Sequence, residues 1–254
     1  MSALATAASY GVPVAKAEIL LVLLHGWQTA DDLEDEAETL AGAMPRTAVV
    51  LPEGPVQEAH GRAWWPMEHL ANPQDAAAVA RSTAPPAELL QRLVATVRKL
   101  LEACRRDALP TVVLGGFSQG AFLAAHGLRA LRADGVRVSA LMLLSGFLDA
   151  QLLRGAAKAL PPSAAGAVAA PLFVFVAHGE DDDVVPEVLL HQGISNVRAM
   201  EEEAACGVVL ETLFHEGGHE VGEGVLEAAG EWMQGAALEL KRLGAAAPLP
   251  PSAE

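Results

Sequence analysis

With 254 residues and 52% hydrophobic content, the chain can bury one sizeable core, and a single α/β domain accounts for its length. The formal net charge of −15, with no basic cluster to offset it, repels phosphate backbones and anionic bilayers. That argues against nucleic-acid binding and against electrostatic attachment to membranes. The two cysteines, Cys104 and Cys206, have no paired spacing and read as buried thiols of a reducing compartment.

From the amino end, "MSALATAASYG" lacks a basic n-region and a continuous apolar core, so no secretory signal is expected. The first strand is "EILLVLLHG" (Glu18–Gly26). A helix follows over Asp31–Met44, opened by acids that suit the positive end of a helix dipole. "TAVVLPEG" (Thr47–Gly54) is the second strand. Next comes a long, polar, proline-dotted interval, 53–86, holding Trp64 and Trp65. Loops of that length in compact domains tend to be lids or binding loops.

A strongly amphipathic helix begins at Pro86, with Leu89, Leu90, Leu93, Val94, Val97, Leu100 and Leu101 on one face. Strands then recur at Thr111–Gly116, Val138–Gly146, Leu172–Gly179 and Gly207–Phe214, with a helix over Ala121–Leu131 between the first two. These runs are short, rich in Val and Leu, and mostly apolar on both faces, as buried parallel strands are. Strand–helix alternation of this kind predicts a mostly parallel central sheet with helices on both faces. The domain is expected over 1–244, and "AAAPLPPSAE" at the end reads as a disordered tail over 245–254. The longest apolar stretches, Ile19–Leu24 and Ala167–Ala177, fall short of the ~20 residues of a membrane span. A soluble, cytoplasmic protein without stable membrane insertion is therefore expected, and nothing in the sequence specifies an oligomer.

Two motifs compete for the chemistry. "HEGGH" (His215–His219) has the H-E-x-x-H spacing of zinc peptidases, which needs both histidines on one helix face. Here Gly217 and Gly218 precede the second histidine, and each glycine costs a helix interior roughly 0.5–1 kcal/mol relative to alanine. The preceding "GVVLETLF" also has strand character, so these residues read as the loop leaving a strand. The other motif is "GFSQG" (Gly116–Gly120), a G-x-S-x-G between an apolar strand and a helix. That context matches a nucleophile elbow, which presents a serine hydroxyl above the sheet at a helix start.

A nucleophilic serine needs a base, and the base an orienting acid, in the chain order Ser, acid, His. After Ser118, the strand ending in "AHGEDDDVVP" supplies Glu180, Asp181, Asp182 and Asp183. After the next strand come His215 and His219. Acid and base would thus each leave the carboxyl end of a strand, where open parallel sheets bind ligands. The Gly217-Gly218 pair then turns the imidazole of His219 toward the serine, so His219 reads as a base and no metal ligand is required. His25 and His178, each ending a strand before glycine, read as packing and hydrogen-bonding residues, and His126 as a filler on the helix after the elbow.

The same residues resemble the acyl-protein thioesterase and carboxylesterase family (phospholipase/carboxylesterases) of α/β hydrolases, over roughly Glu18 to Leu243. "LLHG" (Leu23–Gly26) is similar to the family's first-strand exit, "GGFSQGA" to its nucleophile segment, and "LSGFL" (Leu144–Leu148) to its strand end. "HGEDDDVVP" resembles its H-G-x-x-D-x-x-V-P, which places the acid at Asp182, and "GGHEV" its G-x-G-H-E, which places the base at His219.

The resemblance implies an α/β-hydrolase fold and a serine hydrolase of esters or thioesters, with a small-molecule ester or an acylated protein or lipid as substrate. It implies no cofactor and no metal. The oxyanion would be held by the backbone N–H groups of Gln119, the residue after the nucleophile, and of Trp27, after the first strand. Two departures touch the substrate pocket: Trp27-Gln28 stands where the family has a small Leu-Gly pair, and Ala63-Trp64-Trp65-Pro66 where it has Ser-Trp-Phe-Asp. Trp64 and Trp65 are accordingly expected to line the substrate. A zinc peptidase using the "HEGGH" segment and a non-catalytic binding protein of the same fold are the rival classes.

Overall fold

The computed structural model describes residues 2–27, 33–59, 61–66, 83–104, 109–146, 148–159, 171–185, 187–202 and 207–243. Cys206, Gln28, the middle of the 53–86 interval and the 245–254 tail lie outside the described residues. The strands are β1 (Thr6–Gly11), β2 (Ile19–Leu24), β3 (Thr47–Pro52), β4 (Val56–Glu58), β5 (Gly61–Ala63), β6 (Thr111–Phe117), β7 (Val138–Leu144), β8 (Leu172–Gly179) and β9 (Val208–His215). The helices are α1 (Glu34–Ala43), α2 (Ala87–Ala103), α3 (Gln119–Ala133), α4 (Ala150–Ala159), α5 (Glu187–Glu202) and α6 (Val225–Arg242).

Seven strands form one sheet in the order β1-β3-β2-β6-β7-β8-β9. β1 pairs with β3 antiparallel, and every other pairing in this sheet is parallel. Strands β2, β3, β7 and β8 are buried at every position, which is why they read as unbroken apolar runs. Alternation sorts their side chains into two layers. Leu20, Val22 and Leu24 join a cluster with Leu89, Leu93 and Val97 of α2 and with apolar residues of α3, α4 and α5. Ile19, Leu21 and Leu23 join the opposite cluster, with Leu40 of α1 and Trp232 and Met233 of α6.

The sequence expectations contain no β1, because an edge strand of Thr, Ala, Ser and Tyr, exposed on alternate positions, lacks the apolar run that marks its inner neighbours. The start of the 53–86 interval likewise contains an unexpected short hairpin, β4–β5. Cys104 is half-buried at the end of α2.

From β2 the chain steps outward to β3 and then returns to place β6 on the other side of β2. The order therefore reverses between β2 and β6, and a crevice forms beyond the carboxyl ends of strands at such a point. Trp27 follows β2 there, and Ser118 follows β6.

Candidate active site

Ser118 stands between β6 and α3 with φ 51° and ψ −118°, a left-handed conformation that costs a non-glycine residue on the order of 1–3 kcal/mol. Close packing on both sides imposes the turn. A Cβ on Gly116 would lie 2.3 Å from the Gly120 carbonyl, and a Cβ on Gly120 would lie 2.0 Å from the Leu24 oxygen and 2.4 Å from that of His25. The two glycines thus let the elbow close on itself and against the end of β2. The Ser118 N–H donates to Leu144 O at 2.9 Å, tying the elbow to the end of β7.

The imidazole of His219 bridges two side chains. Its Nε2 lies 2.7 Å from Ser118 Oγ, and its Nδ1 lies 2.8 Å from Asp182 Oδ2. With Nδ1–H donating to the carboxylate, Nε2 is left as the acceptor for the serine hydroxyl. Ser118 is 7% exposed and the His219 side chain 17%, so the serine–imidazole pair sits at the floor of the surface rather than beneath it. The Phe117 ring packs tilted against the His219 ring at 5.1 Å.

Among the clustered acids, the turn after β8 decides which one points inward. Glu180, Asp181 and Asp183 are exposed, whereas Asp182 is buried. Its Oδ1 accepts from the N–H groups of Val184 (2.9 Å) and Val185 (2.8 Å), leaving Oδ2 for His219. Burial pushes the Asp182 carboxyl up, but the hydrogen bonds from His219 and Val185 outweigh it and hold the group below the usual carboxylate range.

His178 supports the same turn. Fully buried, it donates from Nε2 to Val185 O at 3.0 Å and lies 3.6 Å from Asp182 Oδ2. Burial lowers its pKa, with a smaller push from His219, against the raising effect of Asp182 and the Val185 carbonyl.

The acid turn and the histidine loop are stitched together. Glu180 N–H donates to His215 O at 3.0 Å and Asp181 N–H to Gly217 O at 2.9 Å. His215 is the last residue of β9, buried, with Nδ1 3.4 Å from Glu216 O, while Glu216–Glu220 is loop. The two histidines of the H-E-x-x-H match therefore share no helix face, and both ring nitrogens of His219 are occupied by Ser118 and Asp182.

Gln119 opens α3 directly after Ser118, where first-turn N–H groups have no intrahelical acceptor. Its buried side chain has a role the sequence did not suggest. Oε1 accepts from Trp64 N–H (3.0 Å) and Nε2 donates to Trp65 O (2.8 Å), clamping the tryptophan segment to the helix that follows Ser118. Trp27 is half-buried at the exit of β2.

The two tryptophans expected to line substrate are both buried. Trp64 is 1% exposed and Trp65 5%, and both belong to the main core cluster. Trp64 stacks on His25, with centroids 4.5 Å apart, and its Nε1–H donates to His25 O at 2.7 Å. His25 in turn donates from Nδ1 to Gly26 O and accepts at Nε2 from Gly54 N–H. A short hairpin, the His25 ring and the Gln119 amide form a cage that draws the indole inward. His126 lines a separate small cleft with Thr83, Phe122, Ala125, Asp149 and Leu152.

The sequence model of the Phospholipase/Carboxylesterase family matches residues 10–234. No curated protein matches the chain at a significant level. Among solved structures, esterase PE8 superposes with a TM-score of 0.67 at 21% identity, over 92% of this chain and 99% of that one. Acyl-protein thioesterase 2 of Zea mays gives 0.58 at 20% identity, over 89% and 96%. The Bacillus cereus carboxylesterase gives 0.57 at 20% identity, over 89% and 91%. At such identities the structures establish the shared α/β-hydrolase fold. No helix among the described residues is long and apolar enough to cross a membrane. The family match spans most of the chain, from β1 into α6, and on that ground the protein belongs to the Phospholipase/Carboxylesterase family of α/β hydrolases.

Proposed function

We propose that the protein is a serine hydrolase of carboxylic esters or thioesters, working through Ser118, His219 and Asp182 by way of an acyl-enzyme. The observation that carries this reading is the unbroken relay from Ser118 Oγ through the His219 ring to Asp182, at 2.7 and 2.8 Å. His219 takes the serine proton as the hydroxyl attacks the carbonyl carbon, and gives it to the departing alcohol or thiol. Asp182 keeps the imidazole in the tautomer that leaves Nε2 free to accept, and stabilises the imidazolium once it forms. The backbone N–H groups of Gln119 and Trp27 hold the oxyanion. Water, activated by the same histidine, then releases the acyl group. Such chemistry requires no cofactor.

The substrate is a small ester or an acylated protein or lipid, and we place the enzyme in the cytoplasm, a reducing compartment that suits two cysteines without paired spacing in the sequence. The test is Ser118→Ala. The variant should fold normally and lose several orders of magnitude in kcat on p-nitrophenyl esters. A fluorophosphonate probe should label the wild type at Ser118. Labelling at another residue, or full activity in the variant, refutes the reading.

A further inference from the structure

The end of β7 touches every arm of the relay. Leu144 O accepts the N–H of Ser118 at 2.9 Å, which holds the nucleophile's backbone. Ser145 N–H donates to Ala177 O at 2.9 Å, on the strand that leads to Asp182. Ser145 Oγ donates to Glu220 O at 3.0 Å, the carbonyl of the residue after His219. One residue further, a Cβ on Gly146 would lie 2.5 Å from the Cβ of Ala121 in the first turn of α3. Two consecutive residues thus fix nucleophile, acid strand and histidine loop relative to one another.

The conformation of Ser145 sharpens the point. Its φ is 47°, in the left-handed region, and among the described residues only Arg46 and Ser118 share that property without being glycine. Glycine would adopt this backbone without steric cost. A serine here accepts the cost, and what it brings in return is one buried hydroxyl, aimed at the histidine loop.

That loop needs an anchor. It carries Gly217, Gly218, Gly222 and Gly224, of which Gly217 and Gly224 have positive φ, so its backbone has little intrinsic stiffness. On the amino side of His219, Gly217 O is held by Asp181 N–H at 2.9 Å. On the carboxyl side, the neighbouring carbonyl, Glu220 O, is held by Ser145 Oγ.

Building on the serine-hydrolase reading, we propose that Ser145 is a positioning residue for His219, its hydroxyl fixing the carboxyl side of the histidine loop at the strand end that also holds the nucleophile. It touches no reacting atom. Its effect is to keep the imidazole within reach of Ser118 throughout the cycle, and displacements of about 1 Å in such a constellation cost up to about a hundredfold in rate.

Ser145→Gly and Ser145→Ala test this as a pair. Both remove the hydroxyl, but glycine also relieves the backbone cost, so its folding should equal or exceed that of the wild type. In both variants kcat on p-nitrophenyl esters should fall roughly ten- to a hundredfold, with KM essentially unchanged. Amide hydrogen exchange across 216–221 should quicken in both. Wild-type kcat in Ser145→Gly overturns the proposal, as does a melting temperature lowered in Ser145→Ala with kcat intact, which marks a merely structural residue. Unchanged exchange across 216–221 in Ser145→Gly overturns it as well, and that readout needs no turnover. Absence of both hydrolysis and Ser118 labelling in the wild type would instead strike the enzymatic reading, leaving the exchange result to judge the anchor.

Discussion

Replacing Trp64 with alanine separates two roles for the tryptophan segment, a wall of the substrate pocket or a pin that holds the hairpin to the core. The side chain is 1% exposed and among the largest fully buried ones. Truncating a buried tryptophan to alanine costs about 3–5 kcal/mol, including the cavity left behind. The lost Nε1–H leaves His25 O without that partner, for about 1 kcal/mol more. A loss of about 4–6 kcal/mol, in a domain of this size, corresponds to a melting temperature lowered by roughly 10–20 °C. Trp64→Phe keeps the stacking on His25 and gives up the hydrogen bond, so its loss should be a small fraction of that. The assay is thermal unfolding of both variants, alongside kcat/KM over a p-nitrophenyl ester series of rising chain length, run below the variants' melting temperatures. Packing predicts a large thermal shift and a chain-length profile parallel to that of the wild type. A melting temperature within ~2 °C of the wild type in Trp64→Ala, with an altered profile, would refute the burial argument and make the indole a substrate contact.

Two further predictions follow from the same geometry. His219→Ala should abolish turnover, His215→Ala should keep most of it, and chelator should leave the wild type active; stoichiometric zinc lost together with activity in either variant would restore the metallopeptidase class. Stability should fall on acidification in two windows. The unfolded His178 imidazole takes up its proton at about pH 6.5, while the folded one, lowered chiefly by burial, does so only at lower pH, so acid favours unfolding through that interval. His126, also lowered chiefly by burial, adds the same sign. The Asp182 contribution is present above the ordinary Asp value of about 3.9 and is lost as pH falls through its depressed folded value. Urea midpoints measured against pH should therefore decline below about pH 6.5, less steeply in His178→Gln, and a flat wild-type profile would contradict the burial of these groups.

Much of the architecture was legible because burial on both faces leaves a mark in one dimension. β2, β3, β6, β7 and β8 each appeared as apolar runs, the half-exposed edge strand β9 was legible from its Val and Leu content, and the Gly-Phe-Ser-Gln-Gly turn announced a strand running into a helix. The chain order of serine, acids and histidines was equally plain, since each follows a strand. What lay beyond the sequence depended on partners remote along the chain. β1 is an edge strand whose pairing with β3 rests on backbone hydrogen bonds, which any residue type can supply. Asp182 was set apart from Asp181 and Asp183 only by the family resemblance, and what distinguishes it physically is the turn that aims it inward, onto Val184, Val185 and His219. Trp64 and Trp65 looked like surface for a ligand because the loop around them is polar. Their burial is set by His25, 39 residues before Trp64, and by the side chain of Gln119, 55 residues after it. Ser145 stood within a recognisable strand end, yet its reach to Glu220 spans 75 residues. Local pattern records which segments must leave water, whereas the direction of each polar side chain is settled only when distant carbonyls and amides arrive beside it, and at this site those arrivals hold the serine, the histidine and the carboxylate in line.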